Sequence, residues 1–123
     1  MKKTINVKKT ASVPYSQATI HNGTLYVSGQ LPVDPVTGEL CTGDITEQTQ
    51  AVIKNIAAIV EAAGAKMEDI LKCTVLLTDM ADFAQMNEAY RAYFPADPPA
   101  RICYQVCALP RGVNIEIDAI VAI

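Results

Sequence analysis

The stretch Pro98-Pro99-Ala100-Arg101-Ile102-Cys103 is where residue type and position point most directly to chemistry. A helical pattern ends just before it, two prolines stop any continuation, and an extended run begins with an arginine at its mouth. A guanidinium is charged at any physiological pH and presents a planar fork of donors that matches a carboxylate in a bidentate way. The chemistry this allows is capture of the carboxylate of a small acid. The same arginine can also flank a strand at the surface, and six residues do not decide between the two.

Other reactive residues narrow the field. The chain has four cysteines, Cys41, Cys73, Cys103 and Cys107, and one histidine, His21. Cys103 and Cys107 fall on one face of an apparent strand, about 13 Å apart at ~3.3 Å per residue, too far for a disulfide, which wants less than ~7 Å. With one histidine and no Cys-x-x-Cys, zinc is disfavoured, and buried free thiols in a reducing compartment are expected. His21 abuts Asn22-Gly23, a hairpin tip, and such tips are usually exposed. There is no serine–histidine–acid arrangement and no glycine-rich phosphate loop. Glu116 is flanked by Asn114 and Asp118 at one end of an otherwise apolar run, which fits an exposed face. Asn87 sits inside the apolar stripe Phe83, Met86, Tyr90, Phe94 and needs hydrogen-bond partners. It either caps a neighbouring loop or faces a pocket.

At 123 residues the chain is expected to form one domain, 1–123. Half of its residues are hydrophobic and 19% are charged, enough for a core. A net charge of −3 and a pI near 5.0 argue against a general nucleic-acid binder. No apolar run approaches the ~20 residues of a membrane span, and no apolar signal core follows Met1-Lys2-Lys3-Thr4. A soluble cytoplasmic protein is expected.

The elements that must position these residues follow from periodicity. An early strand is expected around Thr4–Val7, then a polar link to Val13. Ala18–His21 and Thr24–Gly29 form a hairpin, since Asn-Gly suits a type I′ turn. Gly29, at the end of the second strand, permits close approach by a ligand or another segment. A loop follows, with a turn near Pro35–Gly38. Asp44 or Thr46 opens a helix, with Glu47 in capping-box spacing, and Val52, Ile53, Ile56, Ile59, Val60 and Ala63 form its apolar stripe; Gly64 ends it. Ile70–Thr78 is a strand with Leu71, Cys73, Val75 and Leu77 on one face. Residues 79–94 form a second helix region, and 101–107 and 113–123 are the last strands. This order predicts an α+β domain, an antiparallel or mixed sheet with both helices on one face. The opposite face, with Leu76, Ile120 and Ala122, is too apolar to be left wet, and a closed cyclic oligomer would cover it.

The chain resembles the Rid (RidA/YjgF) family of reactive-intermediate deaminases over roughly residues 13–121. The motifs are Pro14-Tyr15-Ser16-Gln17-Ala18, Leu25-Tyr26-Val27-Ser28-Gly29-Gln30-Leu31-Pro32, Phe83-x3-Asn87-x2-Tyr90, Pro99-Ala100-Arg101 and Ile115-Glu116-Ile117-Asp118-Ala119. The resemblance implies a chorismate-mutase-like α+β fold and a homotrimer, a trimeric barrel assembly with pockets between subunits. It implies hydrolysis of reactive 2-imino or enamine acids (2-aminoacrylate/2-iminopropanoate, 2-iminobutanoate) to 2-keto acids and ammonia, with no metal or cofactor. Arg101 would bind the substrate carboxylate and Glu116 would orient water. Tyr15, Ser28, Gly29, Asn87 and the backbone at Cys103 would line the pocket. Ile102, Gln105 and Cys107 depart from the commonest family pattern, and Gln105 and Cys107 are expected further along the arginine face. The alternative is a non-catalytic small-carboxylate-binding or stress-response module using the same pocket. A nucleic-acid-acting role fits an acidic chain with one histidine poorly.

Overall fold

The computed structural model describes residues 1–7 and 13–123; most of the polar link, residues 8–12, lies outside them. The strands are β1 (Lys3–Ile5), β2 (Ala18–His21), β3 (Thr24–Gln30), β4 (Ile70–Leu77), β5 (Ala100–Gln105) and β6 (Ile115–Ala122), and the helices are α1 (Ile45–Ala62) and α2 (Phe83–Arg91). The β2–β3 turn is built as expected: Asn22 and Gly23 both adopt positive φ, 49° and 75°, as a type I′ turn requires. Asp44 caps α1, its carboxylate accepting the Glu47 N–H at 3.0 Å. Past the end of α1, Gly64 takes a φ of 82°.

Several boundaries differ from the sequence expectation. The first strand is Lys3–Ile5 rather than Thr4–Val7. The second helical region is broken: Met80–Asp82 is a 3-10 turn whose entry Asp79 caps by accepting the Ala81 N–H, and the α-helix proper runs only from Phe83 to Arg91. β5 stops at Gln105 because its partner β4 ends at Leu77, the residue paired with Gln105. Cys107 therefore stands outside the strand and is exposed, so it does not share a strand face with Cys103. β6 begins at Ile115, after a short turn at Pro110–Gly112.

The six strands form one mixed sheet in the order β1-β2-β3-β6-β4-β5. Four of the five pairings are antiparallel; β4 and β5 are parallel, because α2 carries the chain back across the sheet between them. Leu25 and Val27 of β3, Cys73, Val75 and Leu77 of β4, and Ile115, Ile117, Ala119 and Val121 of β6 turn to one side and are buried. They join Val52, Ile53, Ile56, Ile59 and Val60 of α1 and Met86 and Tyr90 of α2 in a single core. The mixed α+β architecture with helices on one face is thus present.

The alternation in β4 breaks at Leu71. Ile70 pairs with Val121 while Lys72 pairs with Ile120, leaving Leu71 unopposed in a bulge. Ile70 takes the core position at 5% exposure and Leu71 is turned out at 53%. On the face away from the helices Thr74, Leu76, Glu116, Asp118, Ile120 and Ala122 are half-buried, while Tyr26, Ile102 and Tyr104 are exposed. No helix among the described residues is long and apolar enough to cross a membrane.

Candidate active site

Arg101 is the second residue of β5, which Ala100 opens directly after Pro98-Pro99. It pairs in register with Cys73, which is 2% exposed beneath the helices, so the arginine projects on the helix side. Its Cζ lies 4.9 Å from the Tyr90 ring centroid and 5.6 Å from that of Phe83, and Nη1 contacts Met86 Sδ at 3.9 Å. The ion pairs among the described residues are Lys66–Glu68 and Arg91–Glu88; no carboxylate pairs with Arg101. The half-buried guanidinium opens into a cleft of about 510 Å³ lined by Asn87, Tyr90, Arg91, Phe94, Pro95, Pro98 and Pro99. Asn87 stands in the wall of this cleft, and its amide has no hydrogen-bond partner among the described residues, which favours a pocket-facing role over a loop cap.

Cys103 follows on the same face of β5. Val106 donates its N–H to the Leu77 carbonyl at 2.8 Å. By strand alternation Ile102 and Tyr104 also turn their backbone groups toward β4, and Cys103 turns its N–H and C=O to the open sheet edge. A backbone donor therefore lies two residues from Arg101. Burial pushes the Cys103 thiol pKa up, with the Arg101 charge partly offsetting it; Cys73 is raised as well, chiefly by burial. All four cysteines are free. Gln105 is tied to the loop before α2, its side chain accepting the Met80 N–H at 2.8 Å. Neither Gln105 nor Cys107 lines the cleft.

Glu116 projects from the other face. It pairs with Leu76, between the fully buried Ile115 and Ile117 that point to the core. Burial raises its carboxyl pKa above the usual range, and the Asp118 charge adds to that. Asp118 is itself fixed by accepting the Thr74 N–H at 2.9 Å. Gly29 packs against the Glu116 carboxylate so closely that a Cβ there would collide with it. Ser28 is engaged locally: its hydroxyl donates to the Ser16 carbonyl at 2.7 Å and its N–H to the Gln17 carbonyl at 2.9 Å. Tyr15, 60% exposed, lines a second cleft of about 330 Å³ together with Gly29, Gln30 and Arg111.

The residues singled out from sequence thus fall into two groups. Arg101 and Asn87 line one cleft on the helix side, and Cys103 lies two residues further along the same face of β5, outside that lining. Glu116 and Gly29 meet on the open side of the sheet, and Tyr15 and Gly29 share the second cleft. Glu116 aligns with Tyr104 through Leu76, so Arg101 is displaced by three residues and two strand spacings, about 10 Å in each direction. Within one chain the two cannot hold the same small molecule. From sequence Phe83, Met86 and Tyr90 form only a core stripe; their spacing at i, i+3 and i+7 is the signal that sets them on one helix face toward Arg101.

A six-stranded mixed sheet with both helices on one face is the architecture of a solved Rid-family protein from Yersinia pestis, which superposes with a TM-score of 0.94 at 41% identity, covering 100% of each chain. The family model described as Endoribonuclease L-PSP matches residues 6–123, and the chain belongs to that family, which includes the Rid proteins. It is 52% identical over 107 residues to a RutC family protein of Pyrococcus horikoshii, covering 87% of this chain and 85% of that one. It is 44% identical over 122 residues to the 2-iminobutanoate/2-iminopropanoate deaminase of Mus musculus, covering 98% and 90%. The structure of Escherichia coli TdcF with bound serine superposes with a TM-score of 0.92 at 40% identity, covering 98% of each chain.

Proposed function

We propose that this protein hydrolyses small 2-imino acids and their enamine tautomers, such as 2-iminobutanoate and 2-aminoacrylate/2-iminopropanoate, to 2-keto acids and ammonia. The observation that carries this reading is the half-buried Arg101 guanidinium, free of any carboxylate among the described residues and open to a cleft. A relative 44% identical carries the deaminase name, and one at 40% is a structure with a bound amino acid.

In this mechanism Arg101 and the outward N–H of Cys103 take the substrate carboxylate, which fixes C2 beside it. Glu116 takes a proton from water as the oxygen bonds to C2. It returns that proton to the nitrogen, giving a carbinolamine, and then carries the new hydroxyl's proton to the same nitrogen as the C–N bond breaks, so that the carbonyl forms and ammonia leaves. No electrons enter or leave, and no group beyond water is consumed. Asn87 hydrogen-bonds the bound acid, and Tyr15 and Ser28 line the pocket's outer wall.

Because Arg101 and Glu116 of one chain face opposite ways, the complete site forms between copies. We propose a homotrimer, in which the Glu116 face of one subunit meets the β5 edge of the next. The apolar Tyr26, Leu76, Ile102, Tyr104 and Ile120 on the open face support such a contact. Four free thiols suit a reducing cytoplasm. We set RNA cleavage aside, since the chain is acidic and its one histidine lies on β2, four strands from β5.

The test is ammonia and keto-acid release from 2-iminobutanoate generated in place by an amino-acid oxidase, with wild type beside Arg101→Ala. Faster decay with wild type alone, and an Arg101→Ala protein of unchanged assembly, is the expected result. Equal decay in both overturns the deaminase reading.

A further inference from the structure

Phe83, Met86 and Tyr90, on one face of α2, converge on Arg101. Their spacing of i, i+3 and i+7 stacks them along one helix face. Both rings lie within the ~6 Å at which an aromatic face attracts a cation, Tyr90 at 4.9 Å and Phe83 at 5.6 Å. Tyr90 is itself held fast: it is 6% exposed, and its ring packs on Phe94 with centroids 4.7 Å apart. Its hydroxyl is buried and has no nitrogen or oxygen partner among the described residues; its polar neighbour is the Cys73 thiol, a weak partner at best. The hydroxyl is therefore not what anchors the ring.

A carboxylate beside Arg101 would orient it well, but would occupy the donors that an incoming carboxylate needs. Aromatic faces attract the charge without accepting strong hydrogen bonds. We propose that Tyr90 and Phe83 are positioning residues that hold the Arg101 guanidinium at the cleft wall with its donor fork open, and that the Tyr90 ring, not its hydroxyl, does this. The consequence for catalysis rests on the deaminase reading; the arrangement itself rests on the ring geometry alone.

Two readouts separate these. The first needs no substrate: the Nε–Hε resonance of Arg101, assigned by its loss in Arg101→Lys. In wild type the flanking rings shift it upfield. Tyr90→Leu and the less buried Phe83→Leu move it toward the position of a free arginine, and Tyr90→Phe restores it. The second is steady-state kinetics on 2-iminobutanoate. Tyr90→Leu raises KM about tenfold, the size a partly desolvated cation–π contact supports, while kcat stays within about twofold, the pattern of lost uniform binding. Tyr90→Phe returns KM to the wild-type value. An Arg101 resonance unmoved in both leucine variants overturns the proposal whatever the kinetics. A resonance that moves as expected in a protein without turnover upholds the cradle and rejects the deaminase reading.

Discussion

The Glu116 carboxylate fills the space in which a side chain at Gly29 would begin. The contact joins β3 to β6 where their register shifts between Val27 and Gln30, so the glycine is required by a neighbour and not by its own backbone angle. Gly29→Ala should push the carboxylate aside while leaving the core intact. A misplacement of about 1 Å is enough for a loss of about 100-fold in rate. The check is kcat on 2-iminobutanoate beside a thermal melt; an alanine variant of full activity would show that Glu116 needs no fixed position.

Arg101→Lys keeps the charge and loses the fork. A lysine offers a point charge where a bidentate pair is needed, so carboxylate affinity should fall about tenfold or more. Calorimetric titration with 2-oxobutanoate, the product of the proposed reaction, reads this directly. Equal affinity in the two proteins would show that charge alone is sufficient.

The pH dependence should carry the signature of Glu116. Its carboxyl pKa is raised by burial and by Asp118. As a base it must be ionised, so activity is present above that raised pKa and falls as pH drops through it, at a higher pH than an ordinary glutamate would give. Asp118→Asn removes the nearby charge but keeps an oxygen for the Thr74 N–H. The acid limb of the kcat profile should then move to lower pH. An acid limb that stays in place would assign the titration to another group.

Glu116→Gln should retain carboxylate binding and lose rate by roughly 10²-fold or more, the usual worth of a general acid–base. Loss of binding as well, seen by calorimetry, would make Glu116 structural.

Tyr104 is 51% exposed on the open face of the sheet, beside Leu76. If copies meet there, Tyr104→Asp should place a charge in an apolar contact and shift the protein toward monomer in analytical ultracentrifugation, with activity lost in parallel. A wild-type protein that sediments as a monomer would remove the shared site.

Much of the frame was legible in the chain alone, because it is set by neighbours in sequence. Asn22-Gly23 dictates its hairpin, Asp44 and Glu47 start α1, and the stripe from Val52 to Val60 is buried as its spacing requires. Arg101 was found from the prolines before it. The tertiary structure decided what depends on partners far along the chain. Leu71 alternates correctly on paper and is turned out by a bulge that only the pairing of β4 with β6 creates. Phe83, Met86 and Tyr90 read as core, yet their ends meet a guanidinium brought there from β5. Above all, Arg101 and Glu116 each sit on a strand whose alternation is plain, but which way one strand faces relative to the other is set by the register of β6, β4 and β5. That register, fixed by burying Ile115, Ile117, Cys73 and Val75 under the helices, is what sends the two residues to opposite faces of the sheet.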